Sequence, residues 1–206
     1  MMLAPYRRAA LALFVAVAPT PAAAAPAPGS ATDAIQVAHE KVRGLLQAEA
    51  TAPDKAAHAS AITQALRDLF DIGLLAERAL TDHWAKMTAA QRSALVTTLQ
   101  SIIEKNYVSQ LRGNLAYEVE YAGEETAGDD VLVHTVIHAK RNGRPANIPV
   151  DYRLHKGAAG WRIYDVLTEG VSILQNYRSQ FSRIIAKEGV DGLITRMKAK
   201  LDAPKK

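Results

Sequence analysis

The chain has 206 residues, with 25 Lys+Arg, 21 Asp+Glu and no Cys; 49% of its residues are hydrophobic and 22% charged. A chain of this length can bury a core without covalent staples, and the composition excludes wholesale disorder. The lack of Cys excludes a disulfide framework, a thiolate metal site and a Cys nucleophile. A net charge of +4, with no run of five basic residues, argues against a dedicated nucleic-acid partner.

At the N-terminus, Arg7 and Arg8 precede the apolar run AALALFVAVAP, and Ala- and Pro-rich residues with A-x-A character follow. Basic, apolar and small residues in that order make a secretory signal. The apolar run of 11 residues is too short for a bilayer span, which takes about 20. Residues 1–24 are therefore expected to be a cleaved signal peptide, 25–31 a flexible lead-in, 32–202 a single domain and 203–206 a tail. Removing the signal takes away two arginines and no acid, so the mature chain carries 23 Lys+Arg against 21 Asp+Glu.

The mature chain opens with helical periodicity. Ile35, Val42, Leu45 and Leu46 mark a helix over Thr32–Glu49, and Thr51-Ala52-Pro53-Asp54 reads as a new start with Thr51 as cap. Ile62, Leu66, Leu69 and Phe70 form the stripe of that second helix. Asp71 begins a short helix with Leu74, Leu75, Ala79, Leu80 and Trp84 on one side. Thr88 and Gln91 form a capping box ahead of a long helix bearing Leu95, Leu99, Ile103 and Tyr107, which Gly113 stops.

The period then switches to two. Leu115, Tyr117, Val119 and Tyr121 alternate with polar or small residues, and Val131–Ala139 is β-branched. Glu124, Glu125, Asp129 and Asp130 read as a solvated hairpin loop between these strands. Asn142-Gly143 is a hairpin turn leading into Ile148–His155, and Gly157–Gly160 turns the chain into Trp161–Thr168. In this fourth strand the inward parity is open: Trp161/Ile163 and Tyr164/Val166 are both candidates. Ser172-Ile173-Leu174-Gln175 is a second capping box, Gly189 breaks the helix after it, and Asp191–Leu201 forms the last helix. The expected fold is α+β: a four-stranded antiparallel meander wrapped by N-terminal and C-terminal helices.

Enzyme signatures are weak. Gly170-Val171-Ser172 begins like a nucleophile elbow but lacks its second Gly, and the helix cap accounts for Ser172. His134 and His138, four apart in a strand, stand about 13 Å from each other, too far to share a metal. Asp151 and Asp165 are the only strand carboxylates flanked by apolar residues. What remains is a sheet face lined by Tyr and Val opposite wide helical stripes. Periodicity alone favours a closed core over a ligand cavity.

Two long stretches carry a resemblance. VDYRLHKGAAGWRIYDVLTEGVSILQNYRSQFSRIIAKEGVDGLI (Val150–Ile194) and AERALTDHWAKMTAAQRSALVTTLQSIIEKNYVSQL (Ala76–Leu111) resemble, in order and separation, the MlaC or toluene-tolerance family of periplasmic phospholipid-binding proteins. One departure is that Thr81-Asp82 precede His83-Trp84, where the family often has Gly. The resemblance implies that 32–202 is a lipid-binding domain with an internal apolar pocket, and that the protein is a periplasmic shuttle rather than an enzyme. It implies phospholipid as cargo, no cofactor and no metal. It also implies, as partners, an outer-membrane lipoprotein–porin complex and an inner-membrane ABC transporter with an MCE-domain protein, in the maintenance of outer-membrane lipid asymmetry.

Facing sheet and helix stripes then give the expected lining: Leu75, Trp84, Leu99, Ile103 and Tyr107 from the first helices; Tyr121, Val133, Val150, Tyr152 and Val166 from the strands; Val171, Leu174, Tyr177 and Phe181 from the last stretch. Arg153, Arg162 and Arg178 are candidates for a headgroup phosphate at the mouth, and Asp165 is expected to bond a helix start or Arg178. The competing readings are a small α+β pocket enzyme, which would use Asp151 or Asp165, and a ligand-free protein-interaction module with a closed core.

Overall fold

The structure, a computed structural model, describes residues 26–49, 51–113, 117–141 and 143–203. The expected signal peptide lies outside the described residues. Five helices come first: α1 (Ala31–Ala48), α2 (Lys55–Leu69), α3 (Ile72–Ala79), α4 (Thr81–Trp84) and α5 (Ala89–Gly113). Then follow β1 (Glu118–Ala127), β2 (Asp130–Arg141), β3 (Arg144–Gly157), β4 (Gly160–Thr168), β5 (Val171–Ser172) and α6 (Ile173–Asp202). The sheet is an antiparallel meander in the order β1-β2-β3-β4-β5.

The caps explain the helix boundaries. Ser30 Oγ accepts from Asp33 N, and Asp71 Oδ1 from Leu74 N at 2.9 Å. The Thr88–Gln91 box makes both of its reciprocal bonds, at 3.0 and 3.2 Å. At the start of α2, Asp54 is the cap rather than Thr51, its Oδ1 accepting from Ala56 N and Ala57 N. Pro53 disfavours helical backbone at Ala52, so the helix cannot begin as early as Thr51. Trp84 belongs to α4, a separate turn, because the chain leaves helical geometry at Leu80.

The sheet has five strands where the alternation marked four. Glu169 and Gly170 both take positive φ (50° and 79°), as a tight two-residue hairpin turn requires. That turn folds Val171–Ser172 back onto Leu167–Thr168. β1 is also longer than expected. It runs through Glu124 and Glu125, and the turn sits at Gly128 and Asp129, so these acids are not a solvated loop. A bulge between Tyr121 and Gly123 re-aims the strand. Tyr121 and Glu124 consequently both reach α1. Tyr121 Oη lies 3.0 Å from His39 Nδ1, and Glu124 Oε2 accepts from both Thr32 N and Thr32 Oγ1 at 2.7 Å, a carboxylate at a helix N-terminus.

A second bulge resolves the parity of β4. Leu154 pairs with Ile163 and Arg153 with Asp165, leaving Tyr164 as the extra residue. Ile163 therefore faces inward with Leu154 before the bulge, and Val166 faces inward with Tyr152 after it. Each of the two candidate parities holds for half of the strand.

The core lies between the inner sheet face (Val133, Val150, Tyr152, Leu154 and Ile163) and the helical stripes of Ile35, Leu66, Leu75 and Leu99. α6 is broken at Gly189 (φ 70°, ψ −177°). Leu193, Ile194 and Met197 of its second half are buried in the same core. Gln91 Nε2 donates to Asp191 Oδ1 at 2.9 Å, and Lys105 Nζ donates to the Leu201 carbonyl at 2.9 Å, so this second half runs along α5. Among the described residues no helix is long and apolar enough to cross a membrane.

Candidate ligand cavity

A cavity of about 280 Å³, open to the surface, lies where β4 meets α3, α5 and α6. Val166 and Tyr164 supply its sheet wall, Phe70 and Leu75 one end, and Ile103 and Asn106 the α5 side. Ile173, Asn176, Tyr177 and Gln180 come from the first half of α6, and Lys200 from the second. Asn176 and Lys200 are 24 residues apart, which in a straight helix would be about 36 Å. They share one cavity because the chain folds back at Gly189.

The sheet wall is held by polar bonds behind it. Asp165, 1% exposed, is fully engaged. Its Oδ2 accepts from Arg153 Nη1 at 3.1 Å and Ser172 Oγ at 2.7 Å, and its Oδ1 accepts from Leu174 N at 2.9 Å. It thereby caps α6 and locks the β5 corner, the helix-start role the sequence allowed. Ser172 Oγ in turn accepts from Gln175 N, so Ser172 is a cap.

Beside it, Tyr164 Oη donates to Asp130 Oδ2 at 2.8 Å, and Arg78 of α3 grips the same carboxylate while stacking 4.1 Å above the Tyr164 ring. Burial drives the Asp130 carboxyl upward, but the hydrogen bonds from Arg78 and Tyr164 outweigh it and hold the group below its ordinary value. Burial, then the bond to that carboxylate, pushes the Tyr164 phenol up to about 12. Burial likewise raises the phenol of Tyr177, which stacks against Phe181 with centroids 5.2 Å apart.

Of the expected lining residues, Leu75, Ile103, Val166 and Tyr177 stand on the cavity wall. Leu99, Val133, Val150, Tyr152, Leu174 and Phe181 are buried in the core but outside the wall. Trp84 packs half-buried against the core beneath Arg92, and Tyr121 meets His39 under α1. Val171 is 57% exposed, turned outward by the β5 hairpin; its neighbour Ile173 lines the cavity instead. The Tyr107 side chain lies outside the described residues.

None of the three arginines suggested for the mouth is on the wall. Arg153 pairs with Asp165, Arg162 donates to the carbonyls of Arg67 and Phe70 at the end of α2, and Arg178 donates to the Arg78 carbonyl at 2.7 Å. Outside the expected lining, the wall also holds Phe70, Tyr164, Asp165 and Ile173, and the exposed polar residues Asn106, Asn176, Gln180 and Lys200. The polar four stand on exposed helix faces, where nothing in the pattern separates a cavity rim from solvated surface.

The two strand carboxylates are spent structurally. Asp151 lies on the outer sheet face, 3.1 Å from His134 Nδ1. The outer histidines each have a separate partner, His138 bonding Asn147 and Glu120.

The family model described as MlaC protein matches residues 36–199. The chain belongs to the MlaC family. Within that family it is 25% identical, over 129 residues, to the intermembrane phospholipid transport system binding protein MlaC of Haemophilus influenzae. That alignment spans 62% of this chain and 60% of the relative's length. The fold of this chain is also similar to that of a phospholipid-binding protein from Ralstonia solanacearum, solved in complex with a phospholipid. The two superpose with a TM-score of 0.71 at 23% identity, covering 84% of this chain and 99% of that one. The likeness to it is one of fold.

Proposed function

We propose that this MlaC-family chain is a periplasmic phospholipid carrier whose acyl-chain site is the cavity between β4, α3, α5 and α6. The observation that carries the reading is a void between sheet and helices with apolar walls and an open mouth. A module built only to bind protein would fill that space. The names of the Haemophilus relative and the Ralstonia structure support phospholipid as the cargo. The expected signal peptide supports the periplasm. The family resemblance supports a shuttle between an outer-membrane lipoprotein–porin complex and an inner-membrane ABC transporter with an MCE-domain protein, serving outer-membrane lipid asymmetry.

The carrier's task is physical rather than chemical. Two acyl tails hold roughly 30 CH₂ groups, each worth about 0.8 kcal/mol when buried, so bare transfer through water is opposed by about 20 kcal/mol. Apolar walls replace the bilayer contacts without directional bonds. The cavity sits at the small end of the usual range of about 300–1,000 Å³ for ligand pockets. Loading two tails therefore requires the walls to part. Phe70 and Ile103 also line a second void of about 10 Å³ against α2, too small to hold a methylene by itself.

The test is transfer of a fluorescent phospholipid between donor and acceptor vesicles. The wild-type protein is expected to accelerate transfer, and Val166→Trp, which fills the cavity, to lose that acceleration while staying folded. Equal rates with and without wild-type protein would remove the carrier reading.

A further inference from the structure

Lys200 is the cation on the cavity wall, and it forms no ion pair or hydrogen bond among the described residues. The wall's one carboxylate, Asp165, is buried and saturated by Arg153, Ser172 and the Leu174 amide. The wall also carries the carboxamides of Asn106, Asn176 and Gln180, exposed and, like Lys200, without a side-chain partner among the described residues. The rim therefore presents one uncompensated positive charge and three neutral donor–acceptor groups, and no free carboxylate.

We infer that Lys200, with these carboxamides, reads the phosphodiester of the bound lipid and leaves the rest of the headgroup unread. This rests on the carrier reading. One cation matches the single negative charge of a phosphodiester. A wall without a free carboxylate has nothing to pair with an ethanolamine ammonium, so that group stays in water. Lys200 also sits in the last turn of α6, where a cation is favoured by the helix dipole. That accounts for a lysine somewhere on the turn but not for its place on the cavity wall. The position is fixed from both sides: the fold-back at Gly189 returns this turn to Asn176, and the Lys105 bond to the Leu201 carbonyl ties it to α5.

The experiment loads the purified protein from mixed micelles holding equal amounts of phosphatidylglycerol, phosphatidylethanolamine and diacylglycerol with the same tails, and reads bound lipid by native mass spectrometry. Wild-type protein is expected to take both phospholipids about equally and to disfavour diacylglycerol. Lys200→Gln should reduce the phospholipid-to-diacylglycerol ratio about fivefold, the upper worth of one exposed charge pair. Lys200→Arg should restore the ratio, and Lys198→Ala should leave it unchanged. An unchanged ratio in Lys200→Gln, or strong sorting between the two phospholipids by wild type, would overturn the inference and leave the carrier standing. Displacement of lipid selectivity by excess inorganic phosphate would mark a free-phosphate site and also overturn it. Wild-type protein that loads none of the three lipids would remove the carrier reading itself.

Discussion

Two buried side chains set how this molecule responds to pH and substitution. His39 lies between α1 and the sheet, 3.0 Å from Tyr121 Oη and edge-on to Tyr152. Burial, aided by Arg43, lowers its pKa from 6.5 to about 4. The folded state therefore resists a proton that the unfolded chain accepts, so stability rises with pH between about 4 and 6.5 and is lost as pH falls through that window. The full effect is roughly 3 kcal/mol. Chemical denaturation from pH 7 to 4.5 is expected to show a steeper loss for wild type than for His39→Gln, which keeps a partner for Tyr121; parallel curves would contradict this. Asp165 is the other such residue. Asp165→Ala leaves Arg153 without its carboxylate and the buried Ser172 hydroxyl and Leu174 amide without their acceptor, and the expected cost in a urea melt is about 3 kcal/mol. A loss below about 0.5 kcal/mol, the range of ordinary surface changes, would show that the carboxylate does not hold this corner.

At the scale of elements, helix positions were readable because their signals are local. Asp71, Thr88 and Ser172 cap through bonds to residues three positions on. The strands were readable as strands, but their inward faces were only half so. Period-two alternation presumes an unbroken ladder, and the bulges at Ala122 and Tyr164 each invert the parity downstream. This is why Glu124 caps α1 rather than lying in a loop, and why Ile163 and Val166, three apart, both face inward. The two-residue β5 leaves no mark in the pattern, because a strand so short has no period at all, and so the pattern puts Val171 inside where the structure turns it outward.

The break in α6 was visible as a glycine, but its consequence was not, since the return of Lys200 to Asn176 depends on tertiary packing along α5. Gly189 holds φ at 70° with ψ at −177°, a backbone region essentially reserved for glycine that costs an L side chain about 1–3 kcal/mol. Gly189→Ala is expected to lower stability by that amount in denaturant unfolding. An unchanged midpoint would mean that the fold-back does not require this conformation.

For the molecule as a whole, periodicity alone favours a closed core, and most of the core is closed: Leu99, Val133, Leu154 and Ile163 are completely inaccessible. The opening lies at one end, where the fold-back of α6 holds two helical segments apart over β4. Side-chain identity alone cannot locate such an opening, because Leu75 on its wall and Leu99 behind it have the same chemistry. Of the expected lining, the residues that reach the wall come from four separate elements, α3, α5, β4 and α6, and only their meeting defines the site.

The central claim is that this void holds acyl chains. Native mass spectrometry of the protein, purified without detergent from a phospholipid-rich host, tests it most directly. The account predicts phospholipid bound to the wild-type chain and an empty, folded Val166→Trp. A wild-type chain that emerges empty, or a Val166→Trp chain that carries lipid as the wild type does, would contradict it.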